Sequence, residues 1–367
     1  VSIMEQKPFI NMKATNEYND QLEKLMMPML VNFILFLEKE YVPNCRKTYG
    51  LCGLHNEKKG KRMYRFLVKQ HTAPGITVKQ IHNYGLAEIE RIRKCMADVK
   101  RRLNFSGSIE QFNKYLMKRK DLQFTTKDEV IDTYKNQLKK NKILMREQFD
   151  DKISYPCKVK RVPEFNEQFT FEAYYLQGDI EGKRKGAFYV NLSKYKQLSK
   201  MEVEVLSLHE AEPGHHYQLT HMLDGHHPLF IKAESECTNA FVEGWALYCE
   251  NLGQYDTLES YYGKLNIEMT RALRLVVDTG LNYYNWTPNK CLKLMKKYQY
   301  ESEDILFDHI LRYLALPGQA LSYKMGERMF LDLKSKYVDG GKMNIKEFHN
   351  KCIRYGSMPI HFLEMSF

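Results

Sequence analysis

The eight cysteines of this 367-residue chain, scattered from Cys45 to Cys352, form no C-x-x-C pair. That excludes a cysteine zinc knuckle and a thioredoxin-type redox motif. Long apolar runs are missing as well. The longest, Met27 to Leu37, is broken by Pro28 and Asn32 and falls short of the roughly 20 residues that a membrane helix needs. Val1 opens neither a charged nor an apolar leader pattern, so the expectation is a soluble chain with no visible signal peptide or membrane anchor and an open compartment. Internal repeats, low-complexity stretches, zinc-finger spacing, an RNA-binding signature and a basic-region heptad are also absent. The 56 Lys and Arg against 45 Asp and Glu leave a net charge of +11. With no nucleic-acid motif beside them, runs such as Lys58 to Arg62 and Lys100 to Arg102 read as solvated helix faces. Such a field can still steer an acidic substrate.

What is present is ordinary globular composition, 43% hydrophobic and 28% charged, with helical periodicity over most of the length. Capping boxes, in which a Ser or Thr and a Glu or Gln three residues on satisfy free backbone N–H groups, are expected at Thr77, Thr126 and Ser199. The first should open a helix to about Leu103 with Ile81, Leu86, Ile89, Ile92 and Met96 in the core. Between Tyr155 and Leu192 the pattern breaks, and Gly186 to Leu192 reads as a strand. The expected fold is therefore mainly α, with a small β-sheet or hairpin before the helix that follows Ser199. Its N-terminal helical lobe would span 1–154 and a second lobe 155–367, both parts of one fold.

The chemistry gathers after that cap. Val203, Leu206 and Leu208 lead into His209 and Glu210, and His209, Glu210, His215, His216 and His221 fall within 13 residues of a chain with 12 His. Buried without partners, such groups cost roughly 1–3 kcal/mol each, and a metal is one partner that meets the cost. In H-E-x-x-H the two histidines share a helix face and one ion, and the Glu handles the proton of water. Here Pro213 stands four residues after His209. On a regular helix His215 lies about 120° away and His216 about 10 Å along. Proline supplies no N–H to the carbonyl of His209, and with Gly214 it favours a bulge. If two residues loop out, His215 regains the needed relation; His216 is the alternative.

A third ligand is expected from Glu243, a carboxylate inside Ala240-Phe241-Val242-Glu243-Gly244-Trp245-Ala246, with Glu236 and Glu250 seven residues to either side as substitutes or supports. A buried salt bridge from Glu243 to Arg271 or Arg274 is the bland alternative. Two His and one Glu leave an open position, which suits catalysis. One Zn2+ is expected, with Fe2+ or Mn2+ open because non-haem iron sites use the same set.

The segments His209 to Gln218, Phe241 to Tyr248, Arg274 to Leu281 (with Asp278) and Pro317 to Lys324 closely resemble the family catalogued as domain of unknown function 885. The resemblance implies a helical metallopeptidase of the gluzincin kind, zincin-like in architecture. Under it, His209, His215 and Glu243 hold zinc and Glu210 is the general base of peptide hydrolysis. Tyr323, polar in an otherwise apolar run, is expected either to donate to the developing oxyanion or to pack in the core with its hydroxyl satisfied. The strand with Gly186, Phe188 and Tyr189 is expected either to hold an extended peptide by edge pairing or to be a plain structural strand. The competing expectations are another metal-dependent enzyme, such as an iron oxygenase or a different hydrolase, and a binding or scaffold protein without turnover.

Overall fold

The structure, a computed structural model, describes residues 12–46, 48–150, 152–170, 172–233, 238–299 and 301–367. The chain divides into two compact units, Val1–Thr48 and Tyr49–Phe367. The described part of the first is a single helical run from Met12 to Asn44, with π turns at Leu22–Met26 and Leu37–Tyr41. The boundary expected between 154 and 155 falls inside the second unit. Among the described residues no helix is long and apolar enough to cross a membrane.

Eight helices of the second unit position the site: α1 (Val78–Arg102), α2 (Lys127–Gln148), α3 (Val203–Glu210), α4 (His215–Asp224), α5 (Asn239–Glu250), α6 (Leu258–Asn282), α7 (Glu303–Ala315) and α8 (Ser322–Lys334). Among the described residues three short strands, β1 (Val159–Arg161), β2 (Ala173–Leu176) and β3 (Ala187–Val190), precede α3 and form one small sheet in a mainly helical chain.

The caps act locally, and two differ from expectation. Thr77 and Gln80 form a full capping box at the start of α1. At α2 the Thr126 hydroxyl accepts from Glu129 N–H, but the Glu129 carboxylate turns to Thr125. Ser199 opens a 3-10 turn, Lys200–Glu202, so regular helix begins only at Val203. On α1, Ile81, Ile89, Ile92 and Met96 are buried while Leu86 is exposed. Gly85 takes the inward place beside it. A Cβ there would lie 2.7 Å from Leu275 Cβ, so its absence lets α1 lie close along α6.

Helix α6 runs through the middle of the unit and is buried almost throughout from Tyr262 to Asn282. A helix enclosed on all sides is expected to be apolar, yet α6 carries Lys264, Glu268, Arg271, Arg274 and Asp278. Asp278 serves architecture. It accepts from the Tyr64 hydroxyl and, at 3.1 Å, from Gly318 N–H, and burial pushes its pKa up to about 7. It thereby ties α6 to two segments far apart in sequence. The second long contact is α5 along α8, where a Cβ on Gly244 would come within 2.5 Å of Gly326 Cα. That backbone approach seats α5, and with it Glu243.

The sheet order is β1-β3-β2, with β1 and β3 parallel and β2 and β3 antiparallel. This corrects the expectation for Gly186, Phe188 and Tyr189. Their strand is the central one, its backbone engaged by neighbours on both sides, so it offers no edge to a peptide. Phe188 is fully buried among Val130, Tyr134 and Val190, and Tyr189 stacks on Tyr174 with centroids 5.4 Å apart. Gly186 N–H donates to the Tyr155 hydroxyl. The outer strand on the side of the cleft is β2.

Candidate functional site

Helix α3 ends at Glu210, and Ala211 (φ −104°, ψ −120°) leaves helical geometry. Residues 211–214 form a short link before α4 restarts at His215; its Glu212–Pro213 peptide is cis. The link is held from three sides. Trp245 Nε1 of α5 donates to Pro213 O (2.8 Å), Asn141 Nδ2 of α2 donates to Glu212 O (2.9 Å), and the Glu212 carboxylate accepts from Cys157 N–H (3.0 Å). Gly214 passes so near α3 that a Cβ would stand 2.0 Å from His209 O, a position that admits no side chain.

The consequence is the geometry that the Pro-Gly insertion was expected to produce. The His209 and His215 rings stand edge to face, their centroids 4.7 Å apart. Glu243 comes between them from α5, with Oε2 3.5 Å from Nε2 of each imidazole. One ligand atom from each of the three lies within 4.8 Å of the other two, a grouping that could hold a metal ion. At 3.5 Å neither contact is a good hydrogen bond, and Glu243 Oε2 is a buried oxygen without a hydrogen-bond partner. Buried acceptors are rarely left so, and a cation between the three groups would satisfy it. Burial works against charge on both, but Glu243 and Glu250 push the pKa of His209 up to about 10, while the two imidazoles hold the Glu243 carboxyl well below its usual range.

Glu250, two helical turns beyond Glu243, accepts from His209 Nδ1 at 2.8 Å. That bond turns His209 Nε2 toward Glu243 and orients the ring from behind. His216, the alternative ligand, is placed elsewhere. It is fully buried, with Nδ1 3.2 Å from the Tyr175 hydroxyl and Nε2 3.1 Å from Tyr155 O, and burial lowers its pKa to about 4. The restart of the helix at His215 rotates its neighbour into the wall. Glu236 lies outside the described residues. Among the described residues the ion-pair partners of Glu243 are His209 and His215, so the salt bridge to Arg271 or Arg274 does not form.

Glu210 borders the grouping, and its Oε2 accepts from Tyr175 N–H at 2.7 Å. Since β2 bonds β3 through Tyr174 and Leu176, the amides of Ala173 and Tyr175 face the other way, toward α3. Sequence reasoning missed Tyr175, because only the strand order reveals that its backbone reaches the motif.

These groups face one cleft of about 1990 Å³, whose lining also includes Arg271, Arg274, His309, Arg312 and Tyr323. Tyr323 is buried under Arg274, with the guanidinium carbon 4.6 Å from the ring centroid, and Arg312 Nη2 lies 3.4 Å from its hydroxyl. Burial and the charge of Glu243 raise its pKa, so the hydroxyl stays a donor. His309 and Arg312 were not singled out in the sequence. Their i, i+3 spacing on α7 repeats that of Arg271 and Arg274 on α6, a signal too common on helices to be read alone.

The overall architecture is shared with solved structures. A crystal structure of a "putative lipoprotein" from Colwellia psychrerythraea superposes with a TM-score of 0.90 at 26% identity over 99% of this chain and 64% of that one. The chain thus spans a little under two thirds of the length of that relative. A lipoprotein of the same description from Shewanella oneidensis, of unknown function, shares the fold with a TM-score of 0.68 at 18% identity, over 99% of this chain and 68% of that one. No functionally curated protein matches the chain. Residues 3–366 match the family described as bacterial protein of unknown function (DUF885), and the chain belongs to that family.

Proposed function

We propose that this protein is a metal-dependent peptidase of zincin-like, gluzincin type, with zinc as the ion of choice and peptides that fit its cleft as substrates. The observation that carries this reading is the orphaned Glu243 Oε2 between the Nε2 atoms of His209 and His215, 3.5 Å from each, beside the Glu210 carboxylate. Three protein ligands that include two imidazoles and one carboxylate leave room for a reacting molecule. Bound there, a divalent ion supplies Lewis acidity that polarises a peptide carbonyl and makes water a better nucleophile.

The residues of the chain do the rest. Glu210, its Oε2 steadied by Tyr175 N–H, takes a proton from water with its other oxygen and passes it to the departing amine. Tyr323, held protonated, donates to oxygen as charge develops there. The outer edge of β2, where Ala173 turns its backbone toward the cleft, pairs with an extended peptide. Glu250 keeps His209 in the tautomer that leaves Nε2 free.

Two measurements test this. Protein purified without added metal should carry about one equivalent of zinc; one equivalent of iron moves the reading to an oxygenase, and none removes both. In a peptide-library digest the wild type should cleave and Glu210→Gln should lose about 10²–10⁴-fold in rate, the range expected for a general base. Equal cleavage by both proteins would remove Glu210 from this role.

A further inference from the structure

The wall of the cleft formed by α6 and α7 carries charge that the peptidase reading does not use. Arg274 is 6% exposed, and its Nε and Nη1 have no hydrogen-bond partner; neither does Arg271 Nε. Among the described residues no carboxylate lies within ion-pair distance of either side chain, while both line the cleft. Two guanidinium groups three residues apart on one helix face repel one another, and burying them without counter-ions is unfavourable. For Arg271, burial and the neighbouring Arg274 both lower the pKa. Such an arrangement persists when a ligand supplies the missing charge.

The surroundings narrow what that ligand is. The Tyr323 face lies against Arg274, with the guanidinium carbon 4.6 Å from the ring centroid, and holds the planar fork in place. His309 on the facing helix is kept neutral, its pKa lowered to about 3 by burial and then by Arg274, Arg271 and Arg312, so it adds hydrogen bonding without more positive charge. The strand side of the same cleft is acidic, with Glu164, Glu167, Glu172 and Asp179 in its lining. An anion entering the cleft is therefore attracted to one wall and repelled from the other. A planar carboxylate matches a guanidinium fork with two parallel hydrogen bonds.

We propose that Arg271 and Arg274 bind a carboxylate of the peptide substrate, so that the enzyme selects peptides bearing a negative charge on one side of the bond it cleaves. The assignment rests on the peptidase reading for the identity of the ligand as a peptide. The charge belongs either to a free C-terminus, which makes the enzyme a trimmer of chain ends, or to an Asp or Glu side chain, which gives it a residue preference.

Equilibrium binding separates these sources without any turnover. In a Glu210→Gln background, three peptides are titrated calorimetrically: N-acetyl-Ala-Phe with a free terminus, the same peptide as its amide, and N-acetyl-Ala-Glu-amide. At least one acid should bind ten-fold or more tightly than the neutral amide. The preferred acid names the source of the carboxylate. Adding Arg274→Gln or Arg271→Gln should reduce the preference below about three-fold, and Arg274→Lys should restore part of it. If one variant fails to fold, the other and the acid-to-amide ratio with both arginines intact still decide. Equal binding of acids and amide, no binding of any of the three at millimolar concentration, or an unchanged preference in both arginine variants overturns the proposal. Since nothing is cleaved, loss of the metal or of the Glu210 role leaves this result standing. A failure here likewise leaves the peptidase reading intact.

Discussion

Two clusters of buried cations lie about one helical turn apart on α6 and are treated in opposite ways. Around Glu268 every charge is answered. Lys324, 1% exposed, lies 2.7 Å from Glu268, 2.7 Å from Glu327 and 3.1 Å from Glu88; Lys264 lies 2.6 Å from Glu268; and Arg91 bridges Glu88 and Glu268. Three cations meet three anions. Burial opposes the charge of Lys324, but the three carboxylates hold its pKa well above the ordinary value. A turn further on, Arg271 and Arg274 have no carboxylate within ion-pair distance among the described residues, and both line the cleft. The balanced cluster locks α1, α6 and α8 together from inside, whereas the unbalanced one is open to an incoming molecule. Burial alone does not separate the two uses; local neutrality does.

The contrast breaks most readily from the balanced side. Lys324→Met leaves three carboxylates sharing two cations, and denaturant unfolding should show a loss of about 3–5 kcal/mol, the usual result of removing one partner of a buried ion network. A loss below about 1 kcal/mol would mean that the network is not structural.

The next effect belongs to Glu250, a buried carboxylate answered by the imidazole of His209. Glu250→Gln should weaken metal binding about 10–100-fold, as for other outer partners of ligand histidines, measured by competition with a chelator. Unchanged affinity would show that the ring is oriented without it.

Smaller still is the effect of removing an unanswered charge. Arg274→Gln should change the unfolding free energy by no more than about 1 kcal/mol, and in the stabilising direction if the repulsion from Arg271 dominates. A loss comparable to that of Lys324→Met would place Arg274 among the structural charges and erase the distinction.

The finest test is a titration. The folded-state pKa of His309 is about 3, below the ordinary 6.5. Between those values the unfolded chain binds a proton that the folded chain does not, so this group makes stability fall as pH drops from about 6.5 toward 3. His309→Gln should flatten that part of the stability profile. Arg274→Gln should move the His309 pKa upward in an NMR titration; no movement would mean that burial alone sets it.

How much was legible beforehand follows from where each signal lives. Thr77 with Gln80 marks a helix start because both partners lie within one turn. The pairing of Pro213 with Gly214 pointed to a break because one lacks an N–H and the other a Cβ, and both deficits act on the adjacent turn. Glu243 stood out as a carboxylate in an apolar helix. By contrast, Leu86 went to solvent because Gly85, with no side chain, let α6 approach one position away. The strand at Gly186 was recognised, but its place in the middle of the sheet was not, since strand order is a matter of partners more than 10 residues distant.

His209, Glu210, His215 and Glu243 are thus chemistry written along the chain, in residue types and spacings that short-range sterics can convert into a break between two helices. Their convergence is a product of packing. Trp245 on Pro213, Gly244 against Gly326 and Glu250 behind His209 bring three helices to one point, and no local preference encodes those contacts. The two fates of buried charge on α6 were decided the same way. Lys264 and Arg274 look alike in an amphipathic sequence. Lys264 meets Glu268 in a network closed by Lys324 from α8, while the turn that carries Arg274 borders the cleft, so packing makes the first a strut and leaves the second open to charge.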